Sequence, residues 1–358
     1  MNPAPALAAV PVASGTAAPA EPLGLVDSFG RRIDYLRVSV TDRCDLRCGY
    51  CMPKGFKGFE EPSNWLRHDE MARLAGLFAG LGVRRLRLTG GEPLLRKHVE
   101  NLVGLLSGLR TPAGRPLELT LTTNGSLLER KAAVLKQAGL NRVTVSLDAL
   151  DASMFQDMSD SGFTPDDVLR GIDAAAAAGL APVKVNMVVR RGLNDAQILP
   201  MAERFRGSGH ILRFIEYMDV GNTNGWNLTE VVPSEEVLAR IGAAHPLEPI
   251  STDGMGRVAE RWRYRDGGGE IGVISSVTHA FCGGCTRARL SPEGKLFLCL
   301  FGHEGHDLRA PLRDGASDDE LAAILTGIWV ARGDNYSEQR GRNMADPARK
   351  VEMSYIGG

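Results

Sequence analysis

Between Asp34 and Met218 short runs rich in β-branched residues alternate with longer stretches of helical pattern, and this alternation restricts the chain more than any other feature. Repeated strand–helix units build a parallel sheet covered by its own helices. Strands are expected at Tyr35–Val40, Arg84–Thr89, Leu117–Thr122, Arg142–Leu147, Val183–Val189 and Ile211–Tyr217. Helical stretches such as Ala72–Leu81 and Leu127–Ala138 fall between them, and the run Ala174–Ala178 reads as a helix packing face. A closed barrel of this type has about eight units. Six predict an incomplete TIM-like (βα)6 barrel, open on one side.

The chemistry-bearing motifs sit at the carboxyl ends of these strands. They are the stretch Cys44 to Cys51, then Thr89-Gly90-Gly91-Glu92-Pro93, Thr122-Thr123-Asn124-Gly125, Ser146 to Asp148, and Glu216 to Met218. That end of a barrel is where active sites assemble.

After the loop-like Gly221 to Trp226 the pattern changes to a helix near Ser234–Ile241 and then to antiparallel signals. Arg289-Leu290, the turn Ser291-Pro292-Glu293-Gly294 and Lys295–Leu298 predict a hairpin. Folding about that turn brings Cys299 back beside Cys285 within about one residue of register. Arg287 and Arg289 then share one face of their strand. The expected organisation is a disordered Ala/Pro-rich tail over 1–25, the partial barrel over 26–226, a smaller α+β domain over 227–340 closing the open side, and a tail over 341–358 ending in Gly357-Gly358.

All six cysteines fall into two triads, Cys44, Cys48 and Cys51, and Cys282, Cys285 and Cys299. Disulfides would need an oxidising compartment and an export signal. Residues Met1 to Pro22 contain no Lys or Arg and are interrupted by Pro3, Pro5 and Pro11, so they do not read as one. No apolar run reaches the roughly 18 residues of a membrane span. A reducing cytoplasm is the expectation. The net charge of -1 argues against a general nucleic-acid or membrane footprint. Any anionic ligand must therefore meet a local cluster of cations. Three thiolates can hold three corners of an iron–sulfur cluster and leave one iron without a protein ligand. Zinc is the alternative for each triad on spacing alone, with His279, His303 or His306 as candidate fourth ligands for the second.

The Cys44-x3-Cys48-x2-Cys51 loop on the first strand and the Gly90-Gly91-Glu92-Pro93 turn on the second resemble the radical S-adenosylmethionine superfamily. The stretch Phe281-Cys282-Gly283-Gly284-Cys285-Thr286-Arg287-Ala288-Arg289, followed by Cys299-Leu300, is similar to the carboxyl-terminal half of the GTP 3',8-cyclase family of molybdenum cofactor biosynthesis. The resemblance runs from about Val26 to the end of the chain.

This resemblance implies a lyase with two 4Fe-4S clusters, the first on Cys44, Cys48 and Cys51 and the second on Cys282, Cys285 and Cys299. It implies that Tyr50, Gly91, Ser146 and Met218 contact S-adenosylmethionine, and that GTP is met by Arg37, Arg87, Thr122, Lys184, Arg287, Ala288 and Arg289. The implied reaction converts GTP to 3',8-cyclo-7,8-dihydro-GTP. A 5'-deoxyadenosyl radical takes hydrogen from C3', and C3' then bonds to C8. An electron donor and a downstream cyclic pyranopterin synthase are the implied partners, and a monomer or homodimer the implied state. A radical S-adenosylmethionine enzyme that matures peptides with an auxiliary cluster is the alternative. Arg37 and Arg87 each interrupt an otherwise apolar strand, where a buried charge is costly unless an anion meets it.

Overall fold

The computed structural model describes residues 24–52, 55–221, 225–251, 256, 258–339 and 351–357. The expected tail over Met1 to Pro22, the polar stretch Gly341 to Met344 and Gly358 lie outside them. Leu25, expected in the tail, belongs to the fold: its N–H donates to Leu81 O at 3.2 Å and its side chain packs on the core.

Six strands, β1 (Tyr35–Ser39), β2 (Arg85–Thr89), β3 (Glu118–Thr123), β4 (Arg142–Ser146), β5 (Lys184–Val189) and β6 (Ile211–Glu216), pair in chain order and in parallel. Each begins and ends within one residue of its expected place, because period-two alternation marks them sharply. On β1, Leu36 and Val38 are buried under the helices while Tyr35 and Arg37 line a cavity on the other face. On β2, Leu86 and Leu88 repeat the pattern against Arg85 and Arg87. Burying each such Leu or Val stabilises the fold by roughly 1.5–3 kcal/mol.

The carboxyl-terminal part continues this sheet at both edges. A meander of β7 (Leu247–Pro249), β8 (Glu260–Tyr264) and β9 (Glu270–Ile274) attaches through β9, parallel to β6. At the other edge β10 (Arg287–Leu290) lies parallel to β1 and leads into β11 (Lys295–Phe297) and β12 (His306–Asp307). The order is β12-β11-β10-β1-β2-β3-β4-β5-β6-β9-β8-β7. The chain passes from one edge to the other through residues 275–286, which carry Cys282 and Cys285. The sheet is curled rather than flat: Arg213 on β6 and Arg37 on β1 line one cavity and repel each other electrostatically. On a flat sheet, five strand spacings of about 4.8 Å would separate them.

The helix Asp318–Val330 closes the outside against the helix His68–Gly80, with Arg73 Nε 2.8 Å from Asp318 Oδ1. Trp329 is fully buried and donates from Nε1 to Arg31 O. Among the described residues no helix is long and apolar enough to cross a membrane.

Candidate functional site

One cavity of about 730 Å³ takes its lining from both cysteine triads, from the strand ends and from residues 275–286. All six thiols are free and half-buried.

The first triad sits on the loop leaving β1. Backbone N–H groups of Cys51 and Met52 both donate to Cys48 O at 2.9 Å, folding the loop back on itself. The turn after β2 lies flat on this loop, with Gly91 N donating to Thr41 O and Glu92 N to Arg43 O, each at 2.8 Å. A Cβ on Gly91 would stand 2.3 Å from Arg43 O, so glycine is required there by backbone packing. The buried Glu92 carboxylate accepts from Leu94 N, Thr123 Oγ1 and Asn124 N, which ties the end of β2 to the end of β3. Burial still raises its pKa to about 7.

Burial pushes the Cys44 thiol up to about 12, with Glu92 and Asp45 adding to it. Cys48 is raised by burial and then by Asp148, Cys51 and Cys44, and Cys51 by burial and then by Cys44, Glu352 and Asp148. Three thiolates so placed oppose one another unless a cation joins them, which fits a metal centre. Among the described residues no three Cys, His, Asp or Glu side chains converge tightly enough to enclose a single ion. Three thiols on one short loop fit a four-iron cluster, which takes three protein thiolates and leaves one iron open.

The residues expected around S-adenosylmethionine, Tyr50, Gly91, Ser146 and Met218, all line the cavity. Tyr50 donates to Asp148 Oδ2 at 2.6 Å, and Asp148 also accepts from Val188 N at 2.8 Å. Burial lifts Asp148 to about 6.

The second triad is held from two directions. From β6, the Glu216 carboxylate accepts from Ser234 N, Val277 N, Thr278 N and Thr278 Oγ1 at 2.6–2.9 Å, anchoring the start of residues 275–286. From below, Arg31 Nη1 donates to Cys282 O at 3.1 Å and Arg332 Nη1 to Cys285 O at 2.9 Å. Both arginines are buried and both face Asp27. Burial opposes ionisation of Cys285, but Arg287 and Arg332 outweigh it and bring the thiol down to about 6. The hairpin pairs Arg289 with Phe297 and Leu290 with Leu296. Continued outward, that register sets Cys299 level with Arg287, two residues from Cys285 rather than within the expected one.

Between the triads runs a wall of cations. Arg37 is the Cα partner of Arg87 on one side and of Arg289 on the other, so three arginines stand abreast on β10, β1 and β2. Arg37 is half-buried, its Nε is enclosed without a hydrogen-bond partner, and desolvation with repulsion from Arg87 and Arg287 outweighs attraction to Tyr35 and lowers its pKa to about 10. Arg87 donates to Thr122 Oγ1 at 2.9 Å. Lys184 is brought down to about 7 by burial and by Arg213, Arg142 and Arg87. Guanidiniums crowded among like charges are the environment a polyanion relieves.

Arg287 and Arg289 line the cavity as expected. Ala288 does not: period-two alternation turns its methyl to the other face of β10, where it is fully buried in the core. Arg289 also donates to the backbone carbonyls of Ile356 and Gly357, and Gly357 is buried beside Thr89. The sequence reading passed over Tyr35, Arg85, Arg142 and Arg213, which share the cavity wall. Arg213 interrupts an apolar strand as Arg37 does, and that signal was available.

A family model described as Radical SAM superfamily matches residues 38–205, and one described as Molybdenum Cofactor Synthesis C matches residues 210–338. Proteins named GTP 3',8-cyclase are similar over 93% of this chain: 48% identical in Acidothermus cellulolyticus (98% of that protein), 45% in Xanthomonas axonopodis pv. citri (98%) and 43% in Staphylococcus epidermidis (98%). Among solved structures, Streptococcus suis SuiB bound to precursor peptide SuiA matches with a TM-score of 0.59 at 14% identity, over 92% of this chain and 77% of that one. SuiB bound to S-adenosylmethionine gives 0.55 at 14% identity, over 90% and 76%. At that identity the likeness speaks for the fold. The sequence identity to the cyclases, extending over nearly the whole chain, establishes that it belongs to the GTP 3',8-cyclase family within the radical S-adenosylmethionine superfamily.

Proposed function

We propose that this chain converts GTP to 3',8-cyclo-7,8-dihydro-GTP, the first step of molybdenum cofactor biosynthesis. The observation that carries the reading is the joint lining of one cavity by two open thiol triads and a row of arginines. Cys44, Cys48 and Cys51 would hold one 4Fe-4S cluster and Cys282, Cys285 and Cys299 the other. Bound together, the first cluster and S-adenosylmethionine supply a radical able to take hydrogen from the ribose.

The chain's own residues do the rest. Arg37, Arg87, Arg289 and Lys184 bind the triphosphate and fix the nucleotide along the wall, which sets the ribose between the two triads. Tyr50, held by Asp148, and the Gly90-Gly91 turn shape the S-adenosylmethionine side. Residues 275–286 cover the open side, so that reactive species meet little water. A low-potential electron donor feeds the first centre, a separate enzyme rearranges the product to the cyclic pyranopterin, and six reduced thiols suit the cytoplasm.

Anaerobic turnover with GTP, S-adenosylmethionine and a reductant, followed by mass analysis, tests this. A cyclised product of GTP is expected. Cleavage of S-adenosylmethionine with GTP left intact would favour the peptide-maturing alternative.

A further inference from the structure

Tyr35 stands on β1 with Arg287 as its Cα partner on one side and Arg85 on the other. Its ring lines the cavity, and its hydroxyl accepts from Arg87 Nε with Thr120 as a second partner. The guanidinium carbons of Arg37, Arg85 and Arg87 lie 5.9, 5.1 and 5.7 Å from the ring centroid. From β4, β5 and β6, Arg142, Lys184 and Arg213 feel the same phenol electrostatically. The acidic side chain nearest in register, Glu118, is paired with Arg142. Arg85 is likewise paired with Asp34, so six cations and two carboxylates surround one phenol. Burial alone would raise its pKa, but Arg87 and Arg37 outweigh burial and bring it down to about 7.

We infer that Tyr35 is the built-in counter-ion of the nucleotide site: a phenolate that balances the arginine row and takes up a proton when nucleotide phosphate displaces it. This rests on reading that row as the phosphate-binding wall. The chemistry is one O–H bond formed with a proton drawn from solvent, without oxidation or reduction. Phosphate oxygens that neutralise Arg87 and Arg37 remove the charges that keep the phenol ionised, and they repel the phenolate as well. The complex then holds more protons than its free components, so affinity falls as pH rises above about 7.

The test is calorimetric titration of GTP into the cluster-loaded protein, without reductant, at pH 8 in two buffers of different ionisation enthalpy. The wild type is expected to take up more protons per GTP than Tyr35→Phe, by close to one. Between pH 7.5 and 8.5 its affinity should fall about tenfold more per pH unit than the variant's. Lys184 is already mostly neutral at pH 8 and loses the support of the phenol in the variant, so any change there adds proton uptake to the variant and works against the expected difference. Equal proton counts with parallel pH profiles would overturn the inference, as would wild-type binding that takes up no proton. No GTP binding at all would overturn the nucleotide reading, and this inference with it.

Discussion

Arg37 and Arg289 are direct cross-strand neighbours on parallel strands, a half-buried and a buried guanidinium side by side with Arg87 completing the row. Like charges placed opposite each other on a sheet destabilise it, and the single phenol of Tyr35 cannot balance three guanidiniums. The row is therefore a stability cost, which the proposed binding of a triphosphate would offset.

Arg37→Met should separate those two roles. Its stem fills similar space without charge, so thermal or urea unfolding should show a gain of about 1–2 kcal/mol. GTP affinity should fall by at least about tenfold, the loss of one charge-assisted phosphate contact. A variant that loses stability would mean that Arg37 is a structural ion-pair member instead.

Glu216→Gln weakens the anchor of the segment that carries Cys282 and Cys285. The carboxylate accepts five hydrogen bonds, and an amide cannot accept them all, which costs about 1–3 kcal/mol locally. Iron per chain, counted after anaerobic reconstitution, should fall toward the content of a single cluster, with the first centre retained. Uniform loss of both centres would show that Glu216 supports the whole barrel.

Lys184 gives a pH-dependent prediction. Its pKa is depressed from the usual lysine value to about 7, so the folded chain binds fewer protons than the unfolded one between pH 7 and about 10. This contribution is present above the unfolded pKa and is lost as pH falls through 7. Stability should therefore rise with pH in that window. At pH 8.5 Lys184→Met should show about 2 kcal/mol less of that rise than the wild type in urea titrations. Identical pH slopes in the two proteins would contradict the assignment.

Much of this was legible in the residues. Alternation marked the six parallel strands, and Arg37 and Arg87 stood out as charges inside apolar runs. The cysteine spacing marked both triads. The attachment of β9 to β6 and of β10 to β1 was hidden, since a strand's pattern does not name its partner across the chain. Arg31 and Arg332, about 300 residues apart, converge on adjacent cysteine carbonyls with no local signal. The burial of Ala288 shows the limit of carrying a motif as a block: alternate residues of one strand serve opposite faces.

On the proposed function, GTP lies with its ribose between the two triads. Turnover of GTP deuterated at C3', with the 5'-deoxyadenosine then analysed by mass, tests this most directly. Deuterium carried into the 5'-deoxyadenosine is the expected result. S-adenosylmethionine cleavage that leaves the 5'-deoxyadenosine unlabelled, with the C3' deuterium retained in the nucleotide, would contradict it.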